Sequence, residues 1–107
     1  MELKWDRRFA LEQAGDDEAM LTELLELFRH SAAADLVRMK AGATVGDPVA
    51  ISDAAHSIKG AAASLGIEAV RALAAEVEKA GRRGDLAGTL QQLATLEQML
   101  AHLDALR

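Results

Sequence analysis

The chain of 107 residues has no cysteine, no tyrosine, a single proline and few other aromatic residues, two phenylalanines and one tryptophan. The absence of cysteine excludes disulfides and thiolate metal sites. Scarce aromatic residues and few β-branched runs argue against a β-sheet. The core must therefore be built from Leu, Ala, Val, Ile and Met, a set that favours helices.

Two further absences concern partners and location. The net charge is −5, and no basic stripe of the kind that binds nucleic acid is visible. No apolar run approaches the ~20 residues needed to span a bilayer, and the opening "MELKWDRRF" lacks the apolar stretch of a signal peptide. We therefore expect a soluble, cytoplasmic chain that binds neither nucleic acid nor membranes, with residues 1–107 forming one domain.

Apolar residues that recur at intervals of three and four predict one short helix followed by four longer ones. The predicted helices cover about 6–13, 17–41, 48–65, 67–81 and 86–105. Because the connections are short, sequential helices should pack antiparallel. The predicted fold is all-α, an antiparallel up-down-up-down four-helix bundle with a short N-terminal helix. Leu3, Trp5 and Phe9 are expected to close one end of it.

The third predicted helix has two distinct faces when its residues are placed at about 100° intervals. One broad face is apolar and is predicted to enter the core; it consists of Ile51, Ala54, Ala55, Ile58, Ala61, Ala62 and Leu65. The opposite face carries His56, Lys59, Gly60 and Ala63. The imidazole is thus predicted to point to water, one turn from a lysine on the same side.

An isolated surface histidine is most often only solvated, and His30 and His102 are left in that class. The neighbours of His56 indicate that this histidine has a chemical role. The positive charge of Lys59 favours the neutral ring, whose free nitrogen is a nucleophile, and it would offset the charge of a phosphoryl group placed there. Gly60 costs roughly 0.5–1 kcal/mol relative to alanine inside a helix. With the small Ala63, it clears space for another macromolecule to approach.

The stretch "HSIKGAAASLG" resembles the signature of histidine-containing phosphotransfer (Hpt) domains, His-x-x-Lys-Gly with a second glycine six positions later. His56, Lys59, Gly60 and Gly66 match that pattern. The segment "AGDDEAMLTELLELF" and the "GDP" turn are similar to the segments that lead into the family's second helix and its histidine helix. The resemblance implies a four-helix bundle with an exposed histidine near its middle.

The resemblance also implies a role for each matching residue. His56 would accept a phosphoryl group from the aspartyl phosphate of a receiver domain and pass it to another receiver, with Lys59 as its electrostatic partner. Gly60 would provide clearance, and Gly66 would close the helix into the next turn. Family members often add a polar side chain from the following helix. Of the polar residues at the end of that helix, Glu78, Lys79, Arg82 and Arg83, we select Arg82 as the candidate.

The partners implied by the resemblance are receiver domains of a response regulator or of a hybrid histidine kinase. They would dock on small residues near His56, including Ala55, Ala63 and exposed parts of the second helix. The chain has no Walker-type phosphate loop, so we expect a phosphocarrier without kinase activity. It would need no cofactor of its own, because the Mg²⁺ would lie in the receiver. We expect a monomer.

Three other interpretations remain open. A helical interaction or inhibitory module would leave His56 unused. A metal or haem bundle would use His30, His56 and His102 with a methionine, although no Glu-x-x-His pair accompanies them. The dimerisation domain of a histidine kinase typically has an acidic residue after its histidine, whereas Ser57 follows here.

Overall fold

The computed structural model describes residues 4–103, which contain five α-helices. Their bounds are Arg7–Gln13 (α1), Glu18–Val45 (α2), Pro48–Ser64 (α3), Glu68–Arg82 (α4) and Leu86–Ala101 (α5). No β-strand of more than one residue pair occurs in this part of the chain. The predicted all-α class is therefore confirmed. No helix among these residues is both long and apolar enough to cross a bilayer.

Aspartates cap four of the five helices. The carboxylates of Asp6, Asp17, Asp47 and Asp85 each accept a hydrogen bond from a backbone N–H in the first turn. This satisfies donors that have no partner within the helix. Pro48 begins α3, where its missing N–H costs nothing. These caps fix the start of the helix that carries His56.

The four longer helices form a closed ring of neighbours, in which α2 packs on α3, α3 on α4, α4 on α5, and α5 back on α2. An up-down-up-down bundle requires this order of contacts. The core between them is made of aliphatic side chains and alanines, with one phenylalanine, and its largest fully buried members include Met39, Ile51, Ile58 and Leu96. The buried alanines of α3, whose side chains are single methyl groups, let this helix lie close to α2 and α4.

The N-terminal segment closes one end of the bundle over the turn between α3 and α4. The N–H of Asp6 donates to the carbonyl of Gly66 at 2.9 Å, and the indole Nε1 of Trp5 donates to the carbonyl of Leu65 at 2.9 Å. Phe9 packs nearby but stays 36% exposed. Leu3, expected at the same end, lies outside the described residues.

Helix α2 is longer than the sequence predicts, since it ends at Val45 and not near Ala41. The predicted end is too early because Gly42 does not stop the helix. It lies inside α2, where α2 touches α3. A methyl group there would lie 3.1 Å from the carbonyl oxygen of Asp47 and 3.2 Å from the side chain of Ala50. Gly42 thus serves close packing, and the helix ends at Gly46, whose φ is +70°. Helix α5 ends at Ala101, and the predicted last residues, 104 and 105, lie outside the described part.

Candidate functional site

Helix α3 presents His56 to solvent near the middle of the bundle. Ala55 and Ile58, on either side in sequence, are buried and hold this part of the helix against the core. The His56 side chain is 65% exposed. The structure therefore confirms the outward direction of His56 that helical periodicity predicts.

The imidazole is tethered from the neighbouring helix by Glu78 of α4. Its Nδ1 lies 2.8 Å from Oε2 of Glu78. The same carboxylate accepts a hydrogen bond from Nζ of Lys59 at 2.5 Å, through Oε1, and one from Nη2 of Arg82 at 2.9 Å, through Oε2. One carboxylate therefore joins an imidazole and two cations from two helices into a single cluster.

Glu78 is buried, with only 4% of its side chain exposed. The hydrogen bond from Lys59 lowers the pKa of Glu78, with further lowering by His56 and by the charges of Lys59 and Arg82, and this outweighs the opposing effect of burial. Glu78 is consequently ionised at neutral pH, when a carboxylate can only accept hydrogen bonds. The Nδ1 atom of His56 must therefore carry the proton that lies between them.

Lys59 has a partner that the sequence does not reveal. The sequence predicts that its ammonium group acts directly on the imidazole, one turn away. It instead binds Glu78, which also binds the ring. The lysine charge is thus held beside the imidazole by a carboxylate bridge, and this keeps it in place although the lysine side chain is long and flexible.

Open space surrounds the outer side of α3 next to His56. A methyl group added to Gly60 would meet no atom within 4 Å, and Ala63 is exposed one turn further along. Both residues lie where the sequence predicts. Ala55, also assigned to the docking surface, is fully buried, as its place on the apolar face of the helix predicts. Its assignment to a docking surface is wrong, since a methyl group inside the core cannot touch a partner.

Sequence reasoning misses the role of Glu78, although a signal is present. The core stripe of α4 contains Val70, Ala74, Val77 and Gly81, all buried. Glu78 follows Val77 directly and lies four residues after Ala74, which places a charged residue at the edge of that stripe. A carboxylate in such a position needs cationic or hydrogen-bonding partners. Arg82, the candidate selected from the sequence, belongs to the same cluster.

The other histidines lie apart from this cluster. His30 and His102 are exposed on α2 and after α5, and Nδ1 of His102 contacts the carbonyl of Gln98 at 2.7 Å. Within residues 4–103, no three His, Asp or Glu side chains are grouped so that they could hold a metal ion.

Comparisons with known proteins agree with this architecture. The sequence model of the Hpt domain matches residues 23–106. Two solved structures are similar in fold. One is histidine-containing phosphotransfer protein B (HptB) from Pseudomonas aeruginosa PAO1, at 25% identity and a TM-score of 0.87, covering 96% of this chain and 90% of that one. The other is the Hpt domain of a sensor hybrid histidine kinase from Shewanella, at 20% identity and a TM-score of 0.73, covering 95% and 92%. No curated protein sequence matches the chain.

Proposed function

The chain belongs to the Hpt domain family, and from this premise we propose that His56 carries a phosphoryl group between receiver domains of a two-component phosphorelay. The observation that supports His56 best is its placement: an exposed imidazole, tethered at Nδ1 to Glu78, with open space beside it at Gly60. A tethered ring is already oriented for attack, and orientation supplies much of the rate in phosphoryl transfer.

The nucleophilic atom in this proposal is Nε2. Because Nδ1 carries the proton that it donates to Glu78, the lone pair of the neutral ring lies on Nε2. This lone pair attacks the phosphorus of a receiver's aspartyl phosphate. The P–O bond breaks, its electron pair stays on the aspartate carboxylate, and an N–P bond forms at Nε2. Transfer to the next receiver reverses these steps.

Lys59 and Arg82 supply positive charge near the carried group. With Glu78, they form a cluster of two cations and one anion, which has a net charge of +1 before transfer. The oxygens of the bound phosphoryl group carry about two negative charges, and the excess cation offsets part of them. The catalytic acids and Mg²⁺ are assigned to the receiver, so the chain acts as a phosphocarrier and not as a kinase.

The outward face of α3 is the proposed receiver-docking face, and we define it by Val49, His56, Gly60 and Ala63. Val49 and Ala63 lie seven residues before and after His56, a spacing that returns a helix to nearly the same direction. Val49 is 65% exposed, which gives the face an apolar contact two turns from the imidazole. A transient receiver complex of modest area fits such a face. We expect the chain to act as a monomer, because a single copy provides the whole receiver-docking face. A receiver partner would place it in the cytoplasm.

The proposal is tested by mixing the chain with a receiver domain labelled at its aspartate with ³²P-phosphate. We expect one phosphoryl group per chain, labile in acid and stable in alkali, and its attachment to Nε2 of His56 is checked by ³¹P and ¹⁵N NMR. A folded chain that takes no label from any receiver of its own organism would instead support the non-phosphorylated interaction or inhibitory module.

Substitutions at Gly60 should separate stability from transfer. Gly60→Ala is expected to stabilise the chain by roughly 0.5–1 kcal/mol, because it removes the entropic cost of glycine within α3 and meets no atom. Gly60→Gln keeps a good helix former but places a longer side chain on the receiver-docking face. We expect it to slow transfer from a receiver by ~10-fold or more, since small displacements of reacting groups are costly.

The matched control is Ala94→Gln, at an exposed position of α5. It adds a side chain of the same kind to a helix that does not carry His56, and it should transfer at the wild-type rate. Thermal unfolding gives the stabilities, and rapid-quench transfer gives the rates. Equal rates for Gly60→Gln and Ala94→Gln would show that a receiver does not approach over Gly60.

A further inference from the structure

The two helices beside α3 each bury a carboxylate that is paired with an arginine one turn further along. On α4 the pair is Glu78 and Arg82, and on α2 it is Asp35 and Arg38. The first pair belongs to the cluster around His56, whereas the second pair lies apart from it. We propose that Arg38 is a receiver-docking residue, held by Asp35 so that its guanidinium contacts the acidic surface around a receiver's aspartyl phosphate; the inference rests on the proposed carrier function.

The carboxylate of Asp35 anchors the arginine. Its side chain is 8% exposed, and Oδ1 accepts a hydrogen bond from Nη1 of Arg38 at 2.9 Å. The arginine side chain is 56% exposed, and this bond uses one of its five N–H donors. An apolar residue would stabilise the bundle as well as such a buried ion pair does. We therefore attribute the pair to the orientation of the guanidinium, which keeps donors for a partner.

Arg38 lies at nearly the same level of the bundle as His56. Gly42 marks the line of contact between α2 and α3, since a methyl group there would lie 3.2 Å from side-chain atoms of Ala50 and Ile51. Arg38 precedes Gly42 by four residues, and His56 follows Ile51 by five. Because a turn of two residues joins the helices, they run antiparallel. Steps of about 6 and 8 Å therefore lead in the same direction along the bundle.

The direction of Arg38 around α2 follows from helical periodicity. A spacing of four residues turns a helix by about 400°, so Arg38 lies about 40° from Gly42, which faces α3. The buried Leu36 and Met39 lie on the other side of Gly42, towards the core. Arg38 is thus on the outer rim of the seam between α2 and α3, beside the receiver-docking face.

A receiver brings charge of the opposite sign to this rim. It must hold Mg²⁺ beside its aspartyl phosphate, and it does so through carboxylates as well as the phosphate. The chain has a net charge of −5, and Asp53, exposed three residues before His56, adds a negative charge to the approach. Two acidic surfaces repel each other unless cations lie between them. Arg38 provides such a cation on the α2 side of the receiver-docking face.

The test measures transfer from a ³²P-labelled receiver domain of the same organism, chosen as the one that labels the wild-type chain fastest. Rapid quench at increasing receiver concentrations gives the half-maximal concentration and the limiting rate. We expect Arg38→Gln to raise the half-maximal concentration by about 5-fold or more in about 50 mM NaCl, with a limiting rate within about 2-fold of the wild type. In about 500 mM NaCl the difference should fall to about 2-fold or less, because salt screens charges across an interface.

The matched control is Arg8→Gln, which makes the same change of side chain and of net charge. Arg8 lies on α1 and its side chain is 80% exposed. This helix begins beside the turn at Gly66, ten residues and about 15 Å of helix from His56, a distance at which salt screens an exposed charge. Arg8→Gln should match the wild type in both salt concentrations.

A second variant removes the pair as a unit, because Arg38→Gln alone leaves a buried carboxylate without its cation. The double variant Asp35→Asn, Arg38→Gln is neutral at both positions and keeps the shape of the buried side chain. It should show the same rise in half-maximal concentration.

The outcomes separate this inference from the carrier proposal. Half-maximal concentrations for both variants that equal the value for Arg8→Gln overturn the docking role of Arg38. A loss confined to the limiting rate also overturns it, since an ion pair that only supports the fold would act in that way. Either result leaves His56 as the carrier. A wild-type chain that no receiver of its organism labels overturns the carrier function itself.

Discussion

Replacing His56 by glutamine is expected to abolish phosphoryl uptake from a receiver while changing the free energy of unfolding by no more than about 1 kcal/mol. Uptake is lost because an amide has no nucleophilic nitrogen to replace Nε2. Stability is largely kept because the side chain is 65% exposed and contributes one hydrogen bond to Glu78. Lys59 and Arg82 still neutralise the buried carboxylate in the variant, so no unpaired charge is left inside the bundle.

The chain offers a matched control for this experiment in His30→Gln. It is the same substitution at an exposed helical position, on α2 and not α3. Uptake of ³²P from a labelled receiver and urea unfolding are measured for both variants. His30→Gln should take up label like the wild type. Label on His56→Gln at the wild-type level would mean that another residue accepts the phosphoryl group and that the tethered imidazole has a different purpose.

The direction of His56 could be predicted from the sequence because it depends on local periodicity alone. Once Ile51, Ala54 and Ile58 face the core, a residue two positions before Ile58 must face away from it. The aspartate caps and Gly66, in the turn that follows α3, are local signals as well. Properties that a single helix determines can therefore be predicted from the order of its residues.

Glu78 could not be placed in the same way, because its environment is formed by two helices. From α4 alone, a glutamate near the helix end is expected to be solvated, as Glu76 is. Its burial depends on the fact that α3 brings Lys59 and His56 to the same level, and that is a property of the packed bundle. The error at Ala55 has a different cause, since helical periodicity already places Ala55 on the core face, and proximity to His56 in sequence does not imply proximity on the surface.

The end of α2 shows the same limitation for glycine. A glycine after a run of helical residues usually indicates a helix end, and Gly42 follows such a run. Its role is set by a neighbour 3.1 Å away on the connection to α3. Only Gly46, four residues later, has the left-handed conformation that ends the helix. Sequence alone does not distinguish a glycine that allows close packing from one that allows a positive φ.

Gly66 combines both roles, and Gly66→Ala is expected to destabilise the chain by about 2–5 kcal/mol. Its φ of +67° costs an alanine roughly 1–2 kcal/mol. The added methyl group would also lie 2.9 Å from the backbone oxygen of Asp6, which cannot move without breaking the hydrogen bond between Asp6 and Gly66. Such overpacking adds ~1–3 kcal/mol. Thermal and urea unfolding measure the loss, which corresponds to a fall in Tm of ~10 °C or more.

Gly84→Ala separates the two contributions. Gly84 has nearly the same conformation, with φ at +71°, but a methyl group there meets no atom within 4 Å. Its substitution should cost only the conformational part, roughly 1–2 kcal/mol. The difference between the two variants then measures how firmly residues 4–6 are held against the turn that ends the His56 helix. Equal losses would mean that this segment yields to the methyl group at no cost, and the N-terminal closure would contribute nothing to the rigidity of α3.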